Sequence, residues 1–478
     1  MQAYPDQLAD NARHKTILEP GLLHIHFGAG RLGLGLICPF LHNSSSELYI
    51  LNRTVAGANA TGRTGLSAQR RNHLLAANRK HAYLVQHPSP TGERREAIPY
   101  EDFFAYSEEN LEGLIERIVG ASTKARAGVL ITASILTIDA YASVVRALNV
   151  LCRSRETGGS VGPIFLAACE NTISADEVMA APSLAPLISP ATRKGVACVR
   201  ALVDRICVGL EEACVDEEET VVVRTEGYGS LVFELSKASQ PLAKLCEGSR
   251  VEFSSHVDVE KQIKGWLLNG GHNLIAVAAF HTAQGDRSIK LNQFLNATPE
   301  RRLFAARVMD EMREGISILL RSDPGYAAFV KDYDLEAYLS AKSRAMLDRF
   351  LETEDPITRI LARFQAPVGS AKALEAFAER FGARINPAIE AYEREKGQAP
   401  PTVARAVFSV YALVAAGKFI DAELSQTSPL LGAAEAALAH DVVPDPLTAE
   451  LYVFGPPPPY LDKWAADPPE QNKIREAR

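Results

Sequence analysis

The sequence predicts an α/β protein in two parts, a parallel-sheet domain followed by a predominantly α-helical one. Three observations carry this. Short apolar runs alternate with amphipathic segments over the first half of the chain. A glycine-rich turn follows directly on the first of those runs, and beyond residue 235 strand signals thin out while long helical patterns continue. Alternating strand and helix signals specify parallel strands covered by helices on both faces. With 478 residues, 47% of them hydrophobic, the chain can form two or three domains with cores of their own.

The elements follow in order. Leu22 to Phe27 (LLHIHF) reads as the first strand and Glu47 to Leu51 (ELYIL), after a serine-rich turn, as the second. Gly128 to Ser134 (GVLITAS) and Pro163 to Cys169 (PIFLAAC) are two further β-rich runs, with amphipathic helices between them at Leu111 to Val119 and Ala140 to Leu151. Thr220 to Val223 (TVVV) is expected as one more strand closing the first domain, which spans 20–235. The second domain, 236–442, is expected to be mainly helical, from patterns at Leu303 to Leu320, Ala371 to Arg380 and Val403 to Ala416. Residues 443–478, with Gly455 followed by four prolines, read as a Pro-rich extended tail.

The glycine run is Gly28-Ala29-Gly30-Arg31-Leu32-Gly33. In such a turn the first glycine permits the bend and the second lets a pyrophosphate approach the backbone. The third lets helix and strand pack closely, and phosphate charge meets N–H groups at the helix start. Placed after a strand and before the apolar stretch Leu34 to Phe40, it predicts a Rossmann-type nucleotide-binding domain. Pro39 predicts an early end or kink of that helix. An acid that would hold the ribose 2′-hydroxyl of NAD is expected near position 52, but Leu51-Asn52-Arg53-Thr54 contains none. Asn52 and the Arg53 guanidinium suit a 2′-phosphate instead, with Arg63, Arg70 and Arg71 able to add to the field. NADP is therefore favoured, with NAD as the alternative. Ser134, at the end of its strand run, completes the expected cofactor-binding set.

A second constellation lies far downstream. Lys264, Asn269 and His272 would stand at about 0°, 140° and 80° around an α-helix over Gln262 to Ala279, sharing a broad face. Gly270 and Gly271 inside that helix require a reason, such as close approach of a ligand or another backbone. A desolvated lysine can act as a base toward a hydroxyl, while amide and imidazole groups hold the oxygen. A snorkelling lysine, a helix-terminal asparagine and a satisfied histidine are the alternative reading of the same three residues.

Lys264-Gly-Trp-Leu-Leu-Asn269-Gly-Gly-His272 resembles the K-x4-N-x2-H signature of the polyol-specific long-chain dehydrogenases, the mannitol dehydrogenase family. Leu23 to Gly30 and Lys80 to Val85 are similar to its mannitol-1-phosphate 5-dehydrogenase branch. Ala168-Cys169-Glu170-Asn171 resembles the family's strand end, Val203-Asp204-Arg205-Ile206 its V-D-R-I run, and Thr225-Glu226-Gly227-Tyr228 the opening of its substrate domain. The resemblance implies metal-independent hydride transfer between a nicotinamide and a polyol or polyol phosphate, the lead pair being mannitol 1-phosphate and fructose 6-phosphate. It implies Lys264 as general acid/base, Asn171 and Asn269 as an oxyanion hole, and His272 as a substrate-orienting group. Arg384, before Asn386-Pro387, and Glu226 are implied as substrate-binding; a helix-flanking arginine with a turn-forming Asn-Pro is the competing reading of the former. The family's tryptophan after that glutamate is absent here, and the acid two or three residues before the lysine is replaced, Glu260 standing one step further back. The chain length resembles instead the mannitol 2-dehydrogenase and hexuronate reductase branch.

Other classes fit poorly. A net charge of −7 gives no reason to expect nucleic-acid binding. The polar start and the lack of a long apolar window predict no secretory signal and no membrane span. Seven scattered cysteines predict free thiols in a reducing compartment, hence a cytoplasmic protein. His24, His26, His73, His81, His87 and His272 lack metal-ligand spacing, so no metal is expected. Gly158-Gly159-Ser160-Val161-Gly162 precedes a strand run, whereas a nucleophile elbow follows one. The alternative from a different class is a non-catalytic NADP-binding redox sensor. Oligomeric state is not legible.

Overall fold

The computed structural model describes residues 21–54, 66–89, 92–159, 161–215, 217–286, 288–362 and 373–415. The chain divides into two compact units, Met1–Val257 and Asp258–Arg478.

Unit 1 is built on six parallel strands. In chain order they are β1 (Leu23–Phe27), β2 (Glu47–Arg53), β5 (Asp102–Tyr106), β6 (Val129–Ala133), β7 (Ile164–Ala168) and β8 (Val196–Cys198), and they lie in the order β5-β2-β1-β6-β7-β8. Ranked along the chain this is 3-2-1-4-5-6, the Rossmann arrangement. β1, β6 and β7 are buried at every position. That is why their sequences read as continuous apolar runs rather than alternating ones. Helices Leu111–Ala121 and Ala142–Glu156 pack their apolar sides onto one face, joining Leu114, Ile115, Val144 and Leu148 to Ile25, Ile131 and Leu166.

Two further sheets complete the unit. A hairpin of β3 (Ala82–Ser89) and β4 (Gly92–Pro99), inserted between β2 and β5, pairs in parallel with β11 (Glu218–Thr225), and β11 pairs antiparallel with β10 (Cys207–Val215). Thr220 to Val223, expected as a strand closing the first domain, is instead an inner strand of this separate four-stranded sheet. A small third sheet joins β9 (Ala201–Asp204), β12 (Ser230–Glu234) and β13 (Glu252–Ser254). Because β13 returns to pair in parallel with β12, the units part after Val257 rather than at the expected 235.

Every named element of unit 2 is a helix, from Val257–Ile263 through Gly271–Thr282, Pro299–Ser322, Leu335–Glu352 and Ala373–Lys396 to Pro401–Ala415. Their apolar faces meet in one core that includes Leu267, Ile275, Phe304, Met309, Leu339, Phe350 and Val403. Asn386-Pro387, which favours a turn, is carried inside helix Ala373–Lys396. Packing overrides local preference there: β-carbons added at Gly270 and Gly315 would stand 2.8 Å from the Arg384 carbonyl oxygen and 2.3 Å from that of Ala388, so the two glycines admit this helix at backbone distance. Residues 443–478, expected as a Pro-rich tail, and the end of the expected second domain lie outside the described residues. Among the described residues no helix is long and apolar enough to cross a membrane.

Candidate active site

The glycine loop leaves β1 at the C-terminal edge of the parallel sheet. It sits where the strand order reverses between β1 and β6, which is where such sheets hold ligands. Gly28 has φ +107°, a conformation that suits glycine. A β-carbon at Gly30 would meet nothing within 4 Å, so the loop is open on that side. The helix begins at Arg31, and the N–H groups of a first helical turn have no partners inside the helix. An open glycine beside such a turn fits a pyrophosphate. Ser134, just after β6, lies beneath the loop with its hydroxyl 3.4 Å from the Gly28 carbonyl.

The helix after the loop is irregular. Gly33–Ile37 is a π-turn, in which the Cys38 N–H bonds the Gly33 carbonyl five residues back. Pro39, the donor that would bond Gly35 in an α-helix, has no N–H. The neighbouring carbonyls are taken by side chains: Leu34 O accepts from the Tyr83 hydroxyl at 2.8 Å and Gly35 O from Arg205 Nη1 at 2.7 Å. The helix therefore does not end at Pro39 but runs on to Leu41.

The end of β2 is engaged differently from the expectation. Asn52 Oδ1 accepts from the Ala29 N–H at 3.1 Å, and its Nδ2 donates to Asn72 Oδ1 at 2.7 Å. Arg53 pairs with Glu108 at 2.8 Å, and Glu108 also stands 3.4 Å from Arg146. A carboxylate absent from the sequence neighbourhood of Asn52 is thus supplied by the turn after β5. Leu136, just beyond Ser134, is 81% exposed.

Cys169, Glu170 and Asn171 follow β7 at the same sheet edge, with Asn171 exposed. Burial pushes the Glu170 carboxyl up to about 7. Glu226 is buried, and its carboxylate accepts from the backbone N–H of Ile206. Its side chain thereby braces the junction of β9, β10 and β11.

In unit 2 the expected α-helix is interrupted. Val257–Ile263 is α-helical, Lys264–Gly270 is a π-turn, and Gly271–Thr282 is α-helical again. The angles expected for Lys264, Asn269 and His272 change accordingly. In a π-turn the hydrogen bond joins residues five apart, so Lys264 and Asn269 come as near around the axis as residues four apart in an α-helix. His272, three residues further on, falls back toward Lys264, and the three share a narrower face than an unbroken α-helix allows. Lys264 and His272 are 9% and 5% exposed, and Asn269 is half-buried. Gly270 admits the Arg384 backbone and Gly271 the Met309 side chain, whose sulfur would be 2.3 Å from an added β-carbon. The close approach is therefore by protein. Arg384 lies half-buried on helix Ala373–Lys396 rather than beside a turn.

Two residues the sequence did not single out, Phe350 and Asp355, join this face together with Glu260. The His272 ring stacks on Phe350, centroids 4.5 Å apart and planes at 12°. Its Nε2 stands 3.6 Å from Oδ2 of Asp355, a buried carboxylate that Arg359 grips through both oxygens. Glu260, buried and accepting from the Tyr333 hydroxyl at 3.1 Å, sits four residues before Lys264 on the α-helical stretch. That spacing puts the two on one side of the helix, and it was the only signal in the sequence for Glu260. Asp355, in a Glu-Asp-Pro turn 83 residues from His272, left no signal.

Among the described residues no group of three or more His, Cys, Asp or Glu could hold a metal ion. All seven cysteines are free, and burial pushes the thiols of Cys38, Cys152, Cys169, Cys198 and Cys246 upward, away from the reactive thiolate. A cavity of about 520 Å³ lined by Glu116, Ser122, Thr123, Arg126 and Ser154 lies before β6, at the edge of the sheet opposite the glycine loop.

No family model matches the chain, and no curated protein does. Solved structures similar to it include mannitol 2-dehydrogenase of Pseudomonas fluorescens in a ternary complex with NAD and D-mannitol. That structure is 16% identical, with 83% of this chain and 80% of that one covered at a TM-score of 0.51. A D-sorbitol dehydrogenase in substrate-free form is 13% identical over the same shares, also with a TM-score of 0.51. The likeness is one of fold: a Rossmann-type α/β unit followed by a helical one.

Proposed function

We propose that the chain is a metal-independent, nicotinamide-dependent oxidoreductase that interconverts a polyol or polyol phosphate and its keto-sugar. The observation that carries this reading is the π-turn that puts buried Lys264 and half-buried Asn269 on one narrow face with His272. The glycine loop, open at Gly30 and followed by a helix start, supports the cofactor. A bound nicotinamide would accept hydride from the alcohol carbon or deliver it to the ketone. Lys264 takes the hydroxyl proton in oxidation and returns it in reduction. The amides of Asn269 and Asn171 donate to the reacting oxygen, where negative charge develops. His272, held flat against Phe350 and facing Asp355, orients the neighbouring hydroxyl, while Glu260 supplies the acid one helical turn before the lysine. Arg384 is the group proposed for a substrate phosphate or hydroxyl.

The resemblance of the N-terminal half favours mannitol 1-phosphate and fructose 6-phosphate. The coverage of both units by mannitol 2-dehydrogenase favours the unphosphorylated pair, mannitol and fructose, as the second reading. The burial of Cys38, Cys152, Cys169 and Cys246 speaks against a redox sensor built on those thiols, Cys214 being the exposed one. The deciding experiment is a panel of mannitol, mannitol 1-phosphate, fructose, fructose 6-phosphate and hexuronates with NAD(H) and NADP(H), scored by kcat/KM. Turnover of one pair is expected; tight dinucleotide binding with no turnover of any would replace the enzyme by the sensor. Arg53, engaged by Glu108, is proposed as the 2′-phosphate group, so Arg53→Ala weakens NADPH about tenfold more than NADH. Equal effects on both dinucleotides would leave NAD as the cofactor.

A further inference from the structure

One peptide group of the glycine loop is held by side chains on both of its sides. The Gly28 carbonyl accepts from His26 Nε2 at 2.9 Å. Across the same trans peptide, whose C=O and N–H point opposite ways, the Ala29 N–H donates to Asn52 Oδ1 at 3.1 Å. One peptide plane is thus gripped from β1 on one side and from β2 on the other.

The proton positions follow from the acceptors. A carbonyl can only accept, so His26 Nε2 carries a ring proton. Burial holds the His26 imidazole down to about 4, so it is neutral at pH 7 and its Nδ1 is an acceptor. The Thr132 hydroxyl therefore donates to His26 Nδ1 at 2.7 Å, and Thr132 Oγ1 in turn accepts from His24 Nε2–H at 2.7 Å. The donor aimed at Gly28 is fixed in one tautomer. Gly33 keeps room for it, since a β-carbon there would stand 2.1 Å from His26 Nε2 and 2.6 Å from the Gly28 carbonyl oxygen. Asn52, for its part, has both ends of its amide engaged, by Ala29 and Asn72.

We propose that His26 and Asn52 are positioning residues that clamp the Gly28–Ala29 peptide in the conformation a dinucleotide pyrophosphate needs, Asn52 acting through the loop rather than by grasping the ribose. The inference rests on the nicotinamide-cofactor reading above. A loop held before binding has less ordering entropy to lose on binding.

The test is NADH and NADPH binding to the full-length chain by fluorescence titration, with thermal unfolding measured alongside. His26→Leu raises Kd about tenfold, and Asn52→Ala does the same from the other side of the peptide. His26→Gln, which keeps an N–H within reach of Gly28, stays within about threefold of wild type. Leu148→Ala opens the core beneath the same sheet, away from the loop, so it lowers Tm without moving Kd. Combining His26→Leu with Asn52→Ala raises Kd less than the product of the single effects, because both groups hold one peptide. Equal Kd changes in Leu148→Ala and His26→Leu would overturn the clamp, as would a wild-type Kd in Asn52→Ala or His26→Leu. A wild-type chain that binds neither dinucleotide would overturn the cofactor reading itself, and the clamp with it.

Discussion

The two π-turns among the described residues use one backbone irregularity for opposite ends. Gly33–Ile37 is buried throughout, and it leaves the carbonyls of Leu34 and Gly35 to Tyr83 and Arg205. It presents no functional side chain; it continues the helix past Pro39 and anchors the segment behind the glycine loop to β3 and β9. Lys264–Gly270 does the reverse, changing which side chains share a face and presenting a lysine and an amide five residues apart. The difference teaches that a π-turn has two products, displaced carbonyls and a shifted side-chain register. Unit 1 secures the first, and in unit 2 the second brings Lys264 and Asn269 toward one face.

This contrast can be broken by substitution. Removing the amide that the second turn aligns, Asn269→Ala, lowers kcat by about 10² with little change in Tm, the loss expected for one oxyanion donor. A kcat within twofold of wild type would mean that the register shift serves packing alone. Removing a partner of the first turn, Arg205→Met, strands the buried Gly35 carbonyl and costs roughly 1–3 kcal/mol of stability. Denaturant unfolding checks it, and an unchanged midpoint would show that the carbonyl finds another donor.

The smallest effect concerns Glu170. Its folded pKa of about 7 lies above the ordinary carboxyl value of 4.5 because burial disfavours the anion. The native state therefore binds more protons than the unfolded chain between those values, and stability falls as pH rises from about 4.5 to 7. Glu170→Gln flattens that slope, and the gap in Tm between wild type and variant closes by a few degrees, roughly 2 °C, toward pH 4.5. A parallel pair of Tm curves would contradict the burial argument.

The same contrast explains what the sequence could and could not disclose. β1, β6 and β7 were legible because strands buried on both faces are unbroken apolar runs. The four-stranded sheet was not, because its β3–β4 hairpin interrupts the strand-helix alternation and β4 is largely exposed. At the loop, glycine spacing marked the turn, but the assignment of Asn52 to the cofactor missed its bond to Ala29, which only the pairing of β1 with β2 creates. In unit 2 the residue types were readable and their angles were not, since nothing in Lys264 to Gly270 announces five-residue bonding. Lys80 to Val85 and Val203 to Ile206 stood out by resemblance alone; their Tyr83 and Arg205 prove to be the donors to the first π-turn.

We propose that the face built by the second π-turn handles the proton. Turnover and NADH binding measured together on Lys264→Ala test it most directly. A kcat lower by about 10³ or more is expected, a scale at or above that of a removed general base, with dinucleotide Kd within about threefold of wild type. Substantial turnover at neutral pH by that variant would contradict it.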